Sequence, residues 1–212
     1  MAHIFFEEKR PHNGMTYEEF KKYSVEEIEN IEPEKLEGID KKNYEYRKIN
    51  LQRNKRLGKQ FQPSEELIEA VKRIDEPQLW MVITESWCGD SAQNLPIIAK
   101  AAELNDKIDL RILLRDSNTD IIDHYLTDEQ SRDIPILVVF DLDGNELFKW
   151  GPRPDTAKTL VTNLKRDGFS KEEFTQQLHL WYGRNRGKEL ESELLELLMN
   201  SNPVTNTLVE II

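Results

Sequence analysis

Leu79-Trp80-Met81-Val82-Ile83-Thr84-Glu85-Ser86-Trp87-Cys88-Gly89-Asp90-Ser91-Ala92-Gln93-Asn94-Leu95-Pro96-Ile97-Ile98-Ala99-Lys100 is the stretch on which the reading of this chain turns. It opens on a continuous apolar run of strand length and passes within a few residues into a run of helical character. Cys88, the only cysteine among 212 residues, sits at the junction. The unpaired N–H groups and the positive dipole end of a helix N-terminus favour a thiolate there. Three residues on, where a dithiol site needs its second sulfur, stands Ser91.

Outward from this junction, residues 61–167 alternate strand and helix signals. Pro63-Ser64-Glu65-Glu66 starts a helix carrying Leu67, Ile68, Val71 and Ile74. Ile108-Asp109-Leu110-Arg111-Ile112-Leu113-Leu114 reads as a second strand, followed by a helical segment over about 118–126. Ile134-Pro135-Ile136-Leu137-Val138-Val139-Phe140 is an apolar run of the kind buried inside a sheet. Asp143-Gly144 turns a hairpin into Glu146-Leu147-Phe148-Lys149-Trp150, and Asp155 or Thr156 caps a further helix with Leu160, Val161 and Leu164. Helices between central strands, with a hairpin at one edge, predict an α/β fold: a central mixed sheet flanked by helices.

Both ends read as helical extensions. Residues 1–60 are charged, with capping boxes at Thr16 with Glu19 and at Ser24 with Glu27, and a longer helical pattern from 40 to 59. In residues 168–212, Ser170 with Glu173 forms another box, and Phe174, Leu178, Trp181 and Tyr182 fall on one apolar face. Leu190, Leu194, Leu197 and Leu198 repeat that spacing before Asn202-Pro203 ends the helix. That stripe reads as core against the body of the protein, with a dimer surface as the alternative.

Composition narrows the functions. A formal charge of −11, with 33% charged residues, argues against generic binding to nucleic acid or an anionic membrane. No apolar run approaches the ~20 residues of a spanning helix, and the start lacks the basic region of a signal peptide. One cysteine excludes an internal disulfide framework, so the expected compartment is the reducing cytoplasm. His3, His12, His124 and His179 are scattered without ligand spacing, so no metal site is expected.

The strand leading to Trp87-Cys88-Gly89, the helix with Pro96 eight residues past the cysteine, and Asp133-Ile134-Pro135-Ile136 opening a later strand occur in the order of the thioredoxin superfamily. About half of the chain resembles that superfamily, and in particular bacterial thioredoxin-like proteins with a Trp-Cys-Gly-Asp-Ser motif and helical additions. The resemblance implies that Cys88 is the attacking cysteine and Pro135 a cis-proline beside it. It also implies that Ile134 pairs its backbone with an extended substrate. Ser91 departs from the resolving cysteine, and Val82 departs from the buried acid that assists proton transfer during resolution.

These departures leave half of a thiol–disulfide cycle. A Cys88 thiolate can form a mixed disulfide with a protein or small-molecule disulfide. Release then needs an external thiol such as glutathione, as co-substrate rather than bound cofactor. The alternative is a thioredoxin-fold binding or adaptor module without turnover. Trp87, Gly89, Asp90 and Ile134 are the expected substrate-binding neighbours of Cys88, Ser91 and Pro135. Asp90 and Glu85 read as an exposed acidic rim, with the helix terminus expected to outweigh them and keep the thiol's pKa low. Arg47, Lys48, Arg53, Lys55, Arg56 and Lys59 read as a solvated helix face or, if that helix docks near Cys88, as a holder of the carboxylates of a glutathione-like thiol.

Overall fold

Every residue of the first strand, β1 (Gln78–Thr84), is buried, because it is central in its sheet and covered on both faces. The computed structural model describes residues 2–201. Before β1 come four helices: α1 (Ile4–Glu7), α2 (Tyr17–Glu29), α3 (Gly38–Gln60) and α4 (Glu65–Lys72). After it follow α5 (Gly89–Ala102), β2 (Ile108–Leu114), α6 (Thr119–Ile122), β3 (Ile136–Phe140) and β4 (Glu146–Trp150). The chain continues through α7 (Asp155–Arg166), α8 (Lys171–Asn185) and α9 (Lys188–Ser201).

The sheet order is β2-β1-β3-β4. β1 runs parallel to β2, with Val82 opposite Ile112, and antiparallel to β3, with Val82 opposite Leu137. β3 and β4 form the hairpin through Gly144, whose φ of +79° favours glycine. The free edge of β2 is covered by Met15, which exchanges backbone hydrogen bonds with Ile112 at 2.9 and 2.8 Å.

Strand alternation divides the core into two layers. Trp80 and Val82 face Leu67, Val71, Leu95, Ile98, Leu190 and Leu194, so α4, α5 and α9 cover one side. Leu79, Met81 and Ile83 face Phe5, Phe6, Ile121 and Ile122 on the other. The Leu-rich stripe of α9 is therefore occupied within the chain: Leu190, Leu194 and Leu198 are buried in the first layer. A smaller cluster of Ala157, Val161, Leu178 and Tyr182 joins α7 to α8.

Most helix starts follow the sequence signals. Thr16 with Glu19 and Ser170 with Glu173 form capping boxes, and Ser64 caps α4. Two expectations are corrected. Ser24 lies inside α2, where its hydroxyl donates to the Phe20 carbonyl at 2.8 Å instead of starting a helix. The N-cap of α7 is Pro154, not Asp155 or Thr156. The amides of those two residues donate to Glu193 and Glu189 of α9 at 2.8 and 2.7 Å, so another helix satisfies the first turn. The expected stop at Asn202-Pro203 lies outside the described residues.

Candidate functional site

Cys88 is the N-cap of α5, extended at φ −77° and ψ 121°, where β1 gives way to the helix. Its N–H donates to the Glu85 carbonyl and its C=O accepts from Ala92, both at 3.1 Å. The peptide Ile134–Pro135 is cis, and the Cys88 thiol donates to the Ile134 carbonyl at 3.2 Å. Gly151, with φ +135°, presses on the same loop: a Cβ there would lie 2.2 Å from the Pro135 oxygen. The structure thus brings Cys88, Ser91, Ile134 and Pro135 together.

Ser91 is buried beneath the sulfur. Thr84 Oγ1 donates to Ser91 Oγ at 2.5 Å, which leaves the serine proton for Cys88. The amides of Asp90 and Ser91 also point to the sulfur and favour its charged form. Val82 is fully buried in the apolar layer.

The thiol itself departs from the expected thiolate. Cys88 is only 8% exposed, and burial first, then the charge of Asp90, pushes its pKa up to about 11. The desolvation of S⁻ outweighs the helix terminus and three hydrogen bonds.

The acidic rim is also corrected, because neither carboxylate is exposed. Asp90 accepts from Arg153 at 2.6 Å and from the Tyr182 hydroxyl at 2.7 Å, and Asn94 donates to that hydroxyl at 3.0 Å. Glu85 accepts from the Asp116 amide at 2.9 Å, and burial raises its pKa. Trp87 remains half-buried, with the Arg115 guanidinium 4.8 Å from its ring centroid.

α3 docks against this site rather than presenting a wholly solvated face. Asn50 donates to the Ser86 carbonyl at 3.2 Å, Arg47 donates to the Ser86 hydroxyl at 3.2 Å and pairs with Glu27 at 3.1 Å, and Arg53 donates to Asn50 at 2.9 Å. α8 lays His179 over Gly89: a Cβ on Gly89 would fall 2.9 Å from the imidazole Cε1. Burial first, then Arg53, lowers the His179 pKa to about 4.

Sequence reasoning overlooked Thr84, Asn94, His179 and Tyr182 as site neighbours. Tyr182 lies on the apolar stripe that was read as core, and nothing local to His179 links it to residue 89. No local pattern ties Arg153, a lone basic residue after Gly151-Pro152, to Asp90.

A mixed sheet with a cysteine capping the helix after its central strand, against a proline-containing loop, defines a thioredoxin-like α/β protein. The family described as Thioredoxin matches residues 39–165, more than half of the chain, and the chain belongs to that family. No curated protein matches the chain. Among solved structures it is similar to a protein of unknown function from Pseudomonas aeruginosa, at 17% identity and a TM-score of 0.58, covering 91% of this chain and 96% of that one. It is also similar to an HIV epitope scaffold, at 18% identity and a TM-score of 0.55, covering 88% and 93%. These likenesses concern the fold. Among the described residues, no helix is long and apolar enough to cross a membrane.

Proposed function

We propose that this protein is a cytoplasmic monothiol oxidoreductase of cell redox homeostasis that forms mixed disulfides through Cys88. The observation that carries the reading is the constellation around one sulfur. The Ser91 hydroxyl and the Asp90 and Ser91 amides converge on Cys88 at the start of α5, beside Ile134 and Pro135. Arg153 offsets the charge of Asp90 there.

In the first step the Cys88 thiol loses its proton to solvent, and S⁻ attacks one sulfur of a disulfide. A Cys88–S–S–R bond forms, the old S–S bond breaks, and the other half leaves as a thiolate. Ser91 cannot attack that adduct. A second thiolate, from glutathione or a similar small thiol, attacks the R sulfur, forms a new external disulfide and returns Cys88 as S⁻. The high pKa of the buried thiol makes the first step slow until the site opens and wets the sulfur.

Intact mass after incubation with oxidised glutathione tests the reading. The expected result is one glutathione on the native chain, removed by dithiothreitol and absent from Cys88→Ser. Modification only after denaturation would overturn it.

One observation favours a second reading, a binding module without turnover: the thiol is protonated, buried and hydrogen-bonded to the Ile134 carbonyl. That reading predicts a partner whose association survives Cys88→Ser in a pull-down.

A further inference from the structure

A groove of about 790 Å³, within the size range of small-molecule sites, runs between α3, α5 and α8. Arg53 and Arg56 of α3, His179 of α8 and Gln93 of α5 line it. Gln93 lies one helical turn beyond Gly89, and the Arg53 guanidinium and His179 ring also flank Gly89 itself. The groove therefore borders the residue next to Cys88.

Glu172 of α8 also lines the groove, so its two arginines and one carboxylate leave one positive charge in excess. Among the described residues neither Arg53 nor Arg56 makes an ion pair, whereas Arg47 pairs with Glu27 and Arg153 with Asp90. Arg53 is partly desolvated and lies close enough to Arg56 for the two cations to repel. Two neighbouring guanidinium groups that make no ion pair repel each other and favour a bound anion. In a chain of net charge −11, that pairing is not explained by a general basic surface.

One buried polar atom beside the groove also lacks a partner: among the described residues nothing hydrogen-bonds His179 Nδ1. Buried polar groups are ordinarily satisfied, so this one points to a polar occupant.

We propose that this groove binds the carboxylate-bearing part of the small thiol that resolves the Cys88 adduct, with Arg53 and Arg56 taking carboxylates and Gln93 an amide or hydroxyl. This assignment rests on the monothiol reading. It gives that reading a substrate class, an acidic low-molecular-weight thiol, held one residue from the disulfide that it reduces.

Calorimetric titration of the full chain with S-methylglutathione tests it, because that probe keeps both carboxylates and cannot exchange. Saturable binding is expected, weakened about tenfold by Arg56→Gln or Arg53→Gln and at least as much by esterifying the carboxylates. Arg56 is exposed, so Arg56→Gln carries the test if Arg53→Gln fails to fold. Absence of saturable binding, or equal affinity of the ester or of a folded Arg56→Gln, would sink the proposal. The oxidised-glutathione adduct assay reports separately on exchange. Adduct without groove binding overturns the groove alone; binding without adduct overturns the resolving role.

Discussion

The Asp90 carboxylate, two residues after Cys88, and the Arg153 guanidinium, 63 positions further along the sequence, meet at 2.6 Å. Both are largely buried, and Tyr182 holds the other carboxylate oxygen. Asp90 raises the thiol's pKa by its charge, while Arg153 screens it.

Asp90→Asn removes that charge, so the Cys88 pKa should fall by about one unit. Arg153→Gln should raise it and cost roughly 3 kcal/mol of stability, because an unpaired carboxylate is left buried. Iodoacetamide alkylation rates across pH measure the first effect and urea denaturation the second. Unchanged alkylation profiles in both variants would mean that the pair does not govern the thiol.

Gly89 and His179 make a second prediction. A Cβ at 89 would meet the imidazole at 2.9 Å, so Gly89→Ala should destabilise the protein by about 1 kcal/mol through overpacking. The loss should vanish in a His179→Ala background. Strictly additive denaturation free energies would show that α8 does not close over the residue after Cys88.

The strands, the α5 junction and the hairpin were legible because each is encoded locally: buried runs, turn residues and a cap repeat short-range patterns. The electrostatics of the site were not. Asp90 looks exposed in sequence because its partner Arg153 and its hydrogen-bond donor Tyr182 arrive from distant elements. The same holds for Glu85, whose partner is the Asp116 amide. Once those contacts bury the cysteine, desolvation outweighs the helix terminus, and no sequence pattern measures desolvation. The basic residues of α3 illustrate the opposite limit. Their periodicity marks a helix but not which face docks, and only the fold places Arg53 beside Gly89.

Stability should fall at both ends of the pH range for identifiable reasons. His179, held neutral in the fold down to about pH 4 against an ordinary value of 6.5, is protonated first in the unfolded chain. Its contribution is present above pH 6.5 and is lost as the pH falls toward 4, up to about 3 kcal/mol. Cys88 acts in the alkaline range. Its folded pKa of about 11 lies above the ordinary 9.0, so the unfolded chain ionises first and stability drops between those values, by up to about 3 kcal/mol. Denaturation free energies measured across pH should lose the acid limb in His179→Leu and the alkaline limb in Cys88→Ser. Persistence of a limb in its variant would assign that limb to other groups.

Ser91→Cys tests the missing second step directly. The Ser91 hydroxyl faces Cys88 and accepts from Thr84 at 2.5 Å, so a sulfur placed there is next to the first one, at a cost of about 1 kcal/mol for the altered hydrogen bond. Under mild oxidation the variant should become two hydrogens lighter, by closing a disulfide between positions 88 and 91. Treated with oxidised glutathione, it should carry the adduct only transiently, because the new thiol attacks Cys88 Sγ and expels glutathione without an external thiol. The unchanged protein should retain its adduct until a thiol is added. A variant that keeps a stable adduct, or that stays fully reduced by mass under oxidant, would show that the buried Cys88 sulfur is not available for resolution, and the serine could no longer be held responsible for the monothiol cycle.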